Sequence, residues 1–464
     1  MPRYVDVSVQ HIQSYLVRAQ HLKGRRGAST MITRATHGDA VTQCLGDLPA
    51  TEHHEAGAVD GVISVRLDDA ELTTEVTGRL VGHLRSALPA AVIVATYRDG
   101  SNYADAVAGD TDERRLARHL PVCAEWPAAK RCDWCNIWPA SAVIIDGAGE
   151  DARNREVCLD CDRRDEAAGR STQEGWKPLA EMRLRRHLAD RPGSGPSREL
   201  PTNFEQLASL GPIPGERNHV ATVLADGNAI GKLIAGLRQS AGAGGDSQVL
   251  REAPRTIDNA TWAALTGAAN KIDTTDAAAW RIIPHLVGGD DLLVSVPAHS
   301  AWEFVRTYLS IFGEKVSSLA TNGLVPSASA GVVFHQIKDP FSVVADLGHD
   351  LLESAKKEHL GRSAALCWQS ITHDGSARAP RRRSITLDGL HGSWDALTRF
   401  AQVSKSQRQV LARALRDDRG IGSQLDRVLS GDEPMRSVVE PFLGTDPPIP
   451  LQQAIGMVAW WWPR

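Results

Sequence analysis

Apolar and polar side chains alternate over residues 4–9, the period of a half-buried strand, and apolar positions then recur at helical spacing over 12–19. Gly24-Arg25-Arg26-Gly27 reads as a link ahead of a second helical stretch over 29–35. Strand patterns follow over 61–67 and 91–97, with a helix from about 71 to 88 between them. This β-α-β-type order predicts a small α+β domain.

The pattern is clearest in the second half. Residues 219–225 form a strand ending in Asp226-Gly227, and 228–237 a helix with Asn228 as its cap. Gly242-Ala243-Gly244-Gly245 marks a loop, and 260–272 is helical. The branched aliphatic runs around Gly288-Gly289-Asp290-Asp291, over 282–296, predict a β-hairpin with a tight turn. A helix over 301–319, a strand over 326–334, a helix over 341–359 and a strand over 364–368 complete the series. Strand-helix-hairpin-helix-strand is the ferredoxin-like order. After a basic connector over 378–383, the chain from Trp394 onward reads as helices, broken at Gly431-Asp432-Glu433-Pro434 and Pro447-Pro448. The terminal Trp460-Trp461-Trp462 is expected to pack against the other domains, with an exposed partner-binding patch as the alternative.

Composition narrows the class. A chain of 464 residues exceeds one ordinary core, so two to four domains are expected. Net charge is −4 with 23% charged residues, which excludes a generally basic nucleic-acid-binding chain but not local basic patches. No apolar run approaches the ~20 residues of a bilayer span. Met1 opens on a polar mixture and not on a signal sequence, so a soluble, cytoplasmic protein with no membrane partner is expected.

Four of the seven cysteines form Cys132-Asp133-Trp134-Cys135 and Cys158-Leu159-Asp160-Cys161, with 22 residues between the pairs. Two such knuckles close a tetrahedral Zn²⁺ site, and four thiolates leave no open position for water, so the metal is read as structural. A redox role is disfavoured because neither pair is expected at a strand-to-helix junction. Cys44, Cys123 and Cys367 are left over, and Cys367 is expected to be a buried small hydrophobe. Linker composition at Arg191-Pro192-Gly193-Ser194-Gly195-Pro196-Ser197, and again at Leu210-Gly211-Pro212-Ile213-Pro214-Gly215, sets the boundaries. They give an α+β domain over 1–120, a zinc-binding module with helices over 121–192, a linker over 193–215, a second α+β domain over 216–375 and a C-terminal helical domain over 376–464.

In a ferredoxin-like sheet the first strand is central, which would bring Asp226 beside Asp290 and Asp291. Three converging carboxylates suit Mg²⁺ or Mn²⁺ with room for triphosphate oxygens. Gly288 and Gly289 leave space against the backbone for a bulky ligand. Gly227, Gly231 and the amides opening the next helix suit phosphate oxygens. Lys232, Lys356 or Lys357 would neutralise the outer phosphates, with a solvated helix face as the plainer reading of Lys357. Ser329 is a further candidate for nucleotide contact.

Ala225-Asp226-Gly227, Gly231-Lys232, Gly288-Gly289-Asp290-Asp291-Leu292-Leu293, Ser329-Ala330-Gly331-Val332 and Ala355-Lys356 together resemble the polymerase-type palm of the large subunit of type III CRISPR effector complexes. The zinc knuckles fit that family, and Val9-Gln10-His11-Ile12-Gln13-Ser14-Tyr15-Leu16 is similar to the start of its first, degenerate palm. The resemblance implies two ferredoxin-like palm domains. It also implies joining of ATP into cyclic oligoadenylate messengers with Mg²⁺ or Mn²⁺, commonly after foreign RNA is sensed, and it favours Lys356 among the lysines.

Three departures stand out. Asn228 replaces a second acidic residue two positions after Asp226, which would thin the metal site or alter nucleotide choice. No histidine-aspartate nuclease domain precedes the first palm, and His349-Asp350 and His373-Asp374 are no substitute, so no DNA cleavage is expected. The first palm lacks a Gly-Gly-Asp-Asp turn; Tyr97-Arg98-Asp99-Gly100 is its nearest turn. Implied partners are guide or target RNA and sister subunits, or a second copy if the chain works alone, with a cyclic-nucleotide-sensing effector downstream. The alternatives are a GTP-using diguanylate-cyclase-like enzyme and a catalytically silent RNA-binding scaffold. Leu292, where such cyclases carry an aromatic residue, argues against the first.

Overall fold

The computed structural model describes residues 1–19, 21–53, 61–103, 106, 114–121, 130–146, 152–170, 179–189, 198–211, 218–242, 247–273, 279–320, 323–374, 383–416, 425, 429–430 and 433–461. Valines at alternate positions of β1 (Arg3–Gln10) point to one side, where Val5, Val7 and Val9 are buried. They meet α2 (Leu22–Ala35) and α4 (Thr73–Ala87) in one apolar cluster. The order along the chain is β1, α1 (Ile12–Val17), α2, α3 (Gly38–Leu45), β2 (Ala50–Glu52), β3 (Val62–Leu67), α4, β4 (Val92–Asp99) and β5 (Arg114–His119). The strands pair as β2-β3-β1-β4-β5, and the first four in the chain give the ferredoxin-like arrangement expected. The three-residue β2 and the short α3 have no sequence signal strong enough to be read in advance.

Two expectations in this half are corrected. Gly24-Arg25-Arg26-Gly27 is no link: it lies inside α2. A Cβ on Gly27 would lie 2.0 Å from the Arg164 carbonyl oxygen, and one on Gly24 would lie 2.6 Å from the Ala19 Cβ. Gly27 is where α2 crosses another helix at backbone contact and Gly24 where it meets Ala19 and the Trp134 ring, and that close packing outweighs their cost of about 1 kcal/mol each in a helix. Tyr97 to Asp99 likewise belong to β4, and Asp99 accepts from Arg3 at 2.7 Å. The hairpin loop between β2 and β3 is the true counterpart of the Gly-Gly-Asp-Asp turn, and residues 54–60 of it lie outside the described residues.

Next comes the cysteine module, a β6 (Ala142–Asp146)–β7 (Arg153–Val157) hairpin followed by α5 (Leu159–Arg170), the helix that Gly27 abuts. The 191–197 linker lies outside the described residues, but its flanks are structured. Helix α6 (Leu179–Ala189), assigned by composition to the zinc module, instead buries Ala180, Leu184 and Leu188 in the core of the second palm. Helix α7 (Phe204–Ser209), inside the expected linker, is capped by Asn203 and buries Leu207 and Ala208.

The second palm is a sheet ordered β13-β12-β11-β8-β10-β9. Its elements are β8 (His219–Asn228), α8 (Ile230–Gly242), α9 (Ser247–Ile272), β9 (Ile283–Gly288), β10 (Asp291–Pro297), α10 (Ala301–Val316), β11 (Ser327–Gln336), α11 (Phe341–Glu358), β12 (Ala365–Ser370) and β13 (Ile385–Thr386). β11-β8-β10-β9 is the ferredoxin-like core, with β12 added parallel to β11. Ala221, Val223, Ala225, Leu292 and Val294 face α9 and α10, while Leu224, Leu293 and Val333 lie under α11. Helix α11 comes so near that a Cβ on Gly331 would meet the Gly348 carbonyl oxygen at 2.1 Å. Asn228 is not a helix cap: it ends β8, is 1% exposed, and donates to Ser327 Oγ at 2.8 Å and the Ser363 carbonyl at 3.1 Å.

The C-terminal helices α12 (Leu387–Ala401), α13 (Lys405–Arg416), α14 (Glu433–Val439) and α15 (Leu451–Val458) share the second palm's apolar core. Trp460 stacks on Phe334 at 5.2 Å and Trp461 lies 4.3 Å from Trp394, so these two tryptophans are packing residues. Trp462, Cys123, the 243–245 loop, the 378–382 connector and Gly431-Asp432 lie outside the described residues. Cys367 is buried as expected. Among the described residues no helix is long and apolar enough to cross a membrane.

Gly27→Ala should destabilise the fold by at least about 2–3 kcal/mol, because the new methyl meets backbone and not a movable side chain. Urea unfolding of the variant beside Gly78→Ala, where nothing lies within 4 Å, measures the difference.

Candidate metal and nucleotide site

Strand register builds the site. Leu292 pairs with Ala225, so one step further along the ladder Asp291 faces Asp226 on the same side of the sheet. Ser329 is the partner of Asp226 on the other flank. Gly289 has φ 60° and Asp290 completes the two-residue turn, so the turn carries glycine at its first central position as a type II′ hairpin requires. Asp290 thereby folds over Gly227: a Cβ there would meet Asp290 Oδ2 at 2.7 Å. Asp226, Asp290 and Asp291 thus lie at one end of the same strand pair.

Burial, then the Asp226 charge and a hydrogen bond with it, push the Asp290 carboxyl up from 3.8 to about 7. Burial and Asp226 raise Asp291 to about 6, against the opposing pull of Lys356 and Gln13. Lys356, reaching down from α11, contacts the Asp226 carboxylate and donates to the Gly227 carbonyl at 2.9 Å. Lys357 instead pairs with Glu353 on an exposed face, the plainer of its two readings.

Three contacts that hold this turn carry no sequence signal. Thr261 Oγ1 donates to the Gly289 carbonyl at 2.6 Å, and the Gly289 amide donates to Asp258 Oδ1 at 3.3 Å, both residues standing one turn apart on α9. Asp258 is itself held by Arg183 of α6 at 2.9 Å. Gln13 of α1 donates to Asp291 Oδ1 at 3.2 Å across 278 residues of chain. Gly231 and Lys232 are exposed on the first turn of α8, whereas Asn228 and Ser329 are buried, so no side-chain atom of either is open to a nucleotide. A cavity of about 630 Å³ runs between the palms, lined by Gln10, His11, Gln13, Asp291, Leu293 and His349 among others.

Cys132, Cys135, Cys158 and Cys161 are buried, with all four sulfurs within 4.8 Å of one another. The Trp134 and Cys135 amides both point at the Cys132 sulfur at 3.4 Å, the donor pattern of a knuckle. Cys158 does sit at a strand-to-helix junction, between β7 and α5, contrary to expectation. Convergence of all four sulfurs nevertheless fits one tetrahedral ion rather than a redox pair. Among the described residues no other His, Cys, Asp or Glu group gathers so tightly. The palm carboxylates fan out instead, Asp290 toward Asp226 and Asp291 toward Gln13. Their hard oxygen donors and mutual repulsion fit a hydrated Mg²⁺ or Mn²⁺, which keeps part of its water.

Among the described residues, the equivalent strand positions of the first palm carry no such donors. β1 ends at Gln10 and His11 turns at φ 53°, just as β8 ends at Asn228 and Ala229 turns at φ 55°. On that shared corner Ser8 takes the place of Asp226, and its partner Val62 the place of Asp291.

Residues 219–365 match the family model of the second palm domain of Cas10/Cmr2. This chain carries a Cas10-type second palm. The fold of this chain resembles the Csm1–Csm4 cassette in complex with cA4, with a TM-score of 0.58 and 13% identity over 99% of this chain and 69% of that one. The cassette in complex with pppApA gives 0.58 and 14% over the same shares. The apo cassette gives 0.56 and 13%, covering 99% and 70%. At such identity these likenesses speak for the fold, and they extend it beyond the palm to the first palm and the cysteine module. No curated protein matches this chain.

Elemental analysis should find one zinc per chain, and Cys158→Ser should lose it together with cooperative unfolding of the module. The raised pKa of Asp290 has a definite sign: the folded state holds its proton more tightly, so stability falls as pH rises between about 4 and 7. Asp290→Asn should therefore stabilise the fold at pH 8, by about 2–4 kcal/mol, and leave it unchanged below pH 4. Denaturant titrations at both pH values test this.

Proposed function

We propose that this chain is the palm subunit of a type III CRISPR effector and joins ATP into cyclic oligoadenylates, releasing pyrophosphate. The observation that carries the reading is the trio of Asp226, Asp290 and Asp291 at the open end of two paired strands, with Lys356 as the cation beside them. Mg²⁺ or Mn²⁺ bound there supplies charge neutralisation at the α-phosphate and lowers the pKa of the attacking hydroxyl. Asp226 and Asp290 would hold the ions, and Asp291 would ligate or orient them.

In each round a ribose 3′-oxygen forms a bond to the α-phosphorus of a neighbouring ATP. The α–β bridging bond breaks, pyrophosphate leaves, and the hydroxyl proton passes to solvent. Lys356, paired with Asp226, would offer its charge to the outer phosphates. The Gly288-Gly289 backbone and the exposed Gly231 and Lys232 at the start of α8 would receive the rest of the triphosphate. A donor and an acceptor nucleotide must both be held, and the cavity between the palms, about 630 Å³, is in the range of small-molecule sites. Structures of similar fold hold cA4 and pppApA. Csm4 stands beside Csm1 in them, so a sister subunit is the expected partner here. RNA, or a second copy of the chain, would be the activating partner, and the product would act on a separate cyclic-nucleotide sensor in the cytoplasm.

Labelled ATP with Mn²⁺ should give a cyclic product, and Asp290→Asn should reduce its formation by at least about 100-fold. Product from GTP alone would replace ATP as the substrate. No product from either, with or without RNA, would leave the palm a silent scaffold.

A further inference from the structure

Helix α1 belongs to the first palm by sequence but works in three places. Its Val17 packs with Leu224, Leu293 and Phe341 in the face of the second palm. Its Tyr15 donates to Asp160 at 3.0 Å and lies under the Arg164 guanidinium at 4.3 Å, both on α5 of the cysteine module. Arg164 in turn donates to the Tyr15 and Leu16 carbonyls at 2.7 and 3.3 Å. The Asp160–Arg164 ion pair is wholly buried, so these contacts fix the helix end rather than merely decorate it. The third place is the turn: two residues before Tyr15, Gln13 meets Asp291.

We propose that Gln13 is a positioning residue, which ties the Asp291 carboxylate to the first palm so that the metal site depends on how the two palms meet. The inference rests on the reading of Asp291 as a metal-site carboxylate. Its physical basis is that one Asp291 oxygen is occupied by a neutral amide from a separate domain. A carboxylate so held keeps one orientation at the rim of the cavity, and the amide asks no charge of the site. The first palm, without carboxylates of its own at the equivalent strand positions, then contributes to the chemistry through the Gln13 amide.

Mn²⁺ binding to the full chain, followed by electron paramagnetic resonance, tests the assignment. Gln13→Met, of similar length but without the amide, should weaken Mn²⁺ binding about ten-fold. Gln13→Asn, whose amide is drawn back by one methylene, should show a comparable loss. Zinc content and melting temperature should not change in either. The loss should vanish when Asp291→Asn is already present, since the two act through one oxygen. Wild-type Mn²⁺ affinity in both Gln13 variants, with Asp291→Asn still weakened, overturns the positioning role and leaves the metal site standing. An equal further loss in the Asp291→Asn background also overturns it. Unchanged affinity in Asp291→Asn itself overturns the reading of that carboxylate, and the role of Gln13 with it.

Discussion

Repulsion among three carboxylates at the end of the central strand pair is the constraint around which the second palm is arranged. Strand register sets it: Leu292 opposite Ala225 leaves Asp291 no position but beside Asp226, and the two-residue turn drops Asp290 onto Gly227. Burial first, and then the neighbouring Asp226 charge, disfavour the ionised state of Asp290 and Asp291. The contacts nearby hold the arrangement together. Helix α11 must approach the sheet at backbone contact, through Gly331 and Gly348, before Lys356 can reach Asp226. Helix α9 must present Thr261 and Asp258 to both polar groups of Gly289, or the turn would be free to swing its carboxylate outward.

The cysteine module and the first palm are joined by a different device. Gly27 lets α2 and α5 meet with no side chain between them, and beside that contact lies the buried Asp160–Arg164 pair. A buried ion pair is costly unless its remaining atoms are satisfied, and here Tyr15 and two main-chain carbonyls satisfy them. Through these bonds the pair ties the end of α1 to α5 of the cysteine module.

What was legible in the sequence was what local rules determine. The hairpin could be read because glycine at the turn and β-branched runs around it are short-range signals, and the four cysteines because ligand spacing is a local property. Asp226 could be paired with the hairpin because the ferredoxin-like order makes the first strand central. The rest depends on partners far along the chain. Gly24 and Gly27 have the composition of a linker and the function of close-contact points along a helix, and nothing within four residues distinguishes the two. Gln13, Asp258 and Thr261 are ordinary polar residues on helices until the fold brings a turn 28 to 278 residues away against them. Helix α6 has the charge of a surface helix, yet its apolar side closes the second palm's core. Asn228 reads as a cap from its type and place, but the strand runs three residues beyond the expected 219–225 and takes it inside.

The two palms share more than strand order, and the shared part explains their unequal roles. In both, the first strand leaves the sheet through a residue at φ near 55°, His11 or Ala229, and enters a helix at the same corner. In the second palm the side chains beneath that corner are carboxylates; in the first they are Ser8 and Val62. A corner without carboxylates has no charge to offset, so its helix is free to be used for contact instead. The same geometry that crowds acids together in one copy thus delivers an uncharged amide to them from the other.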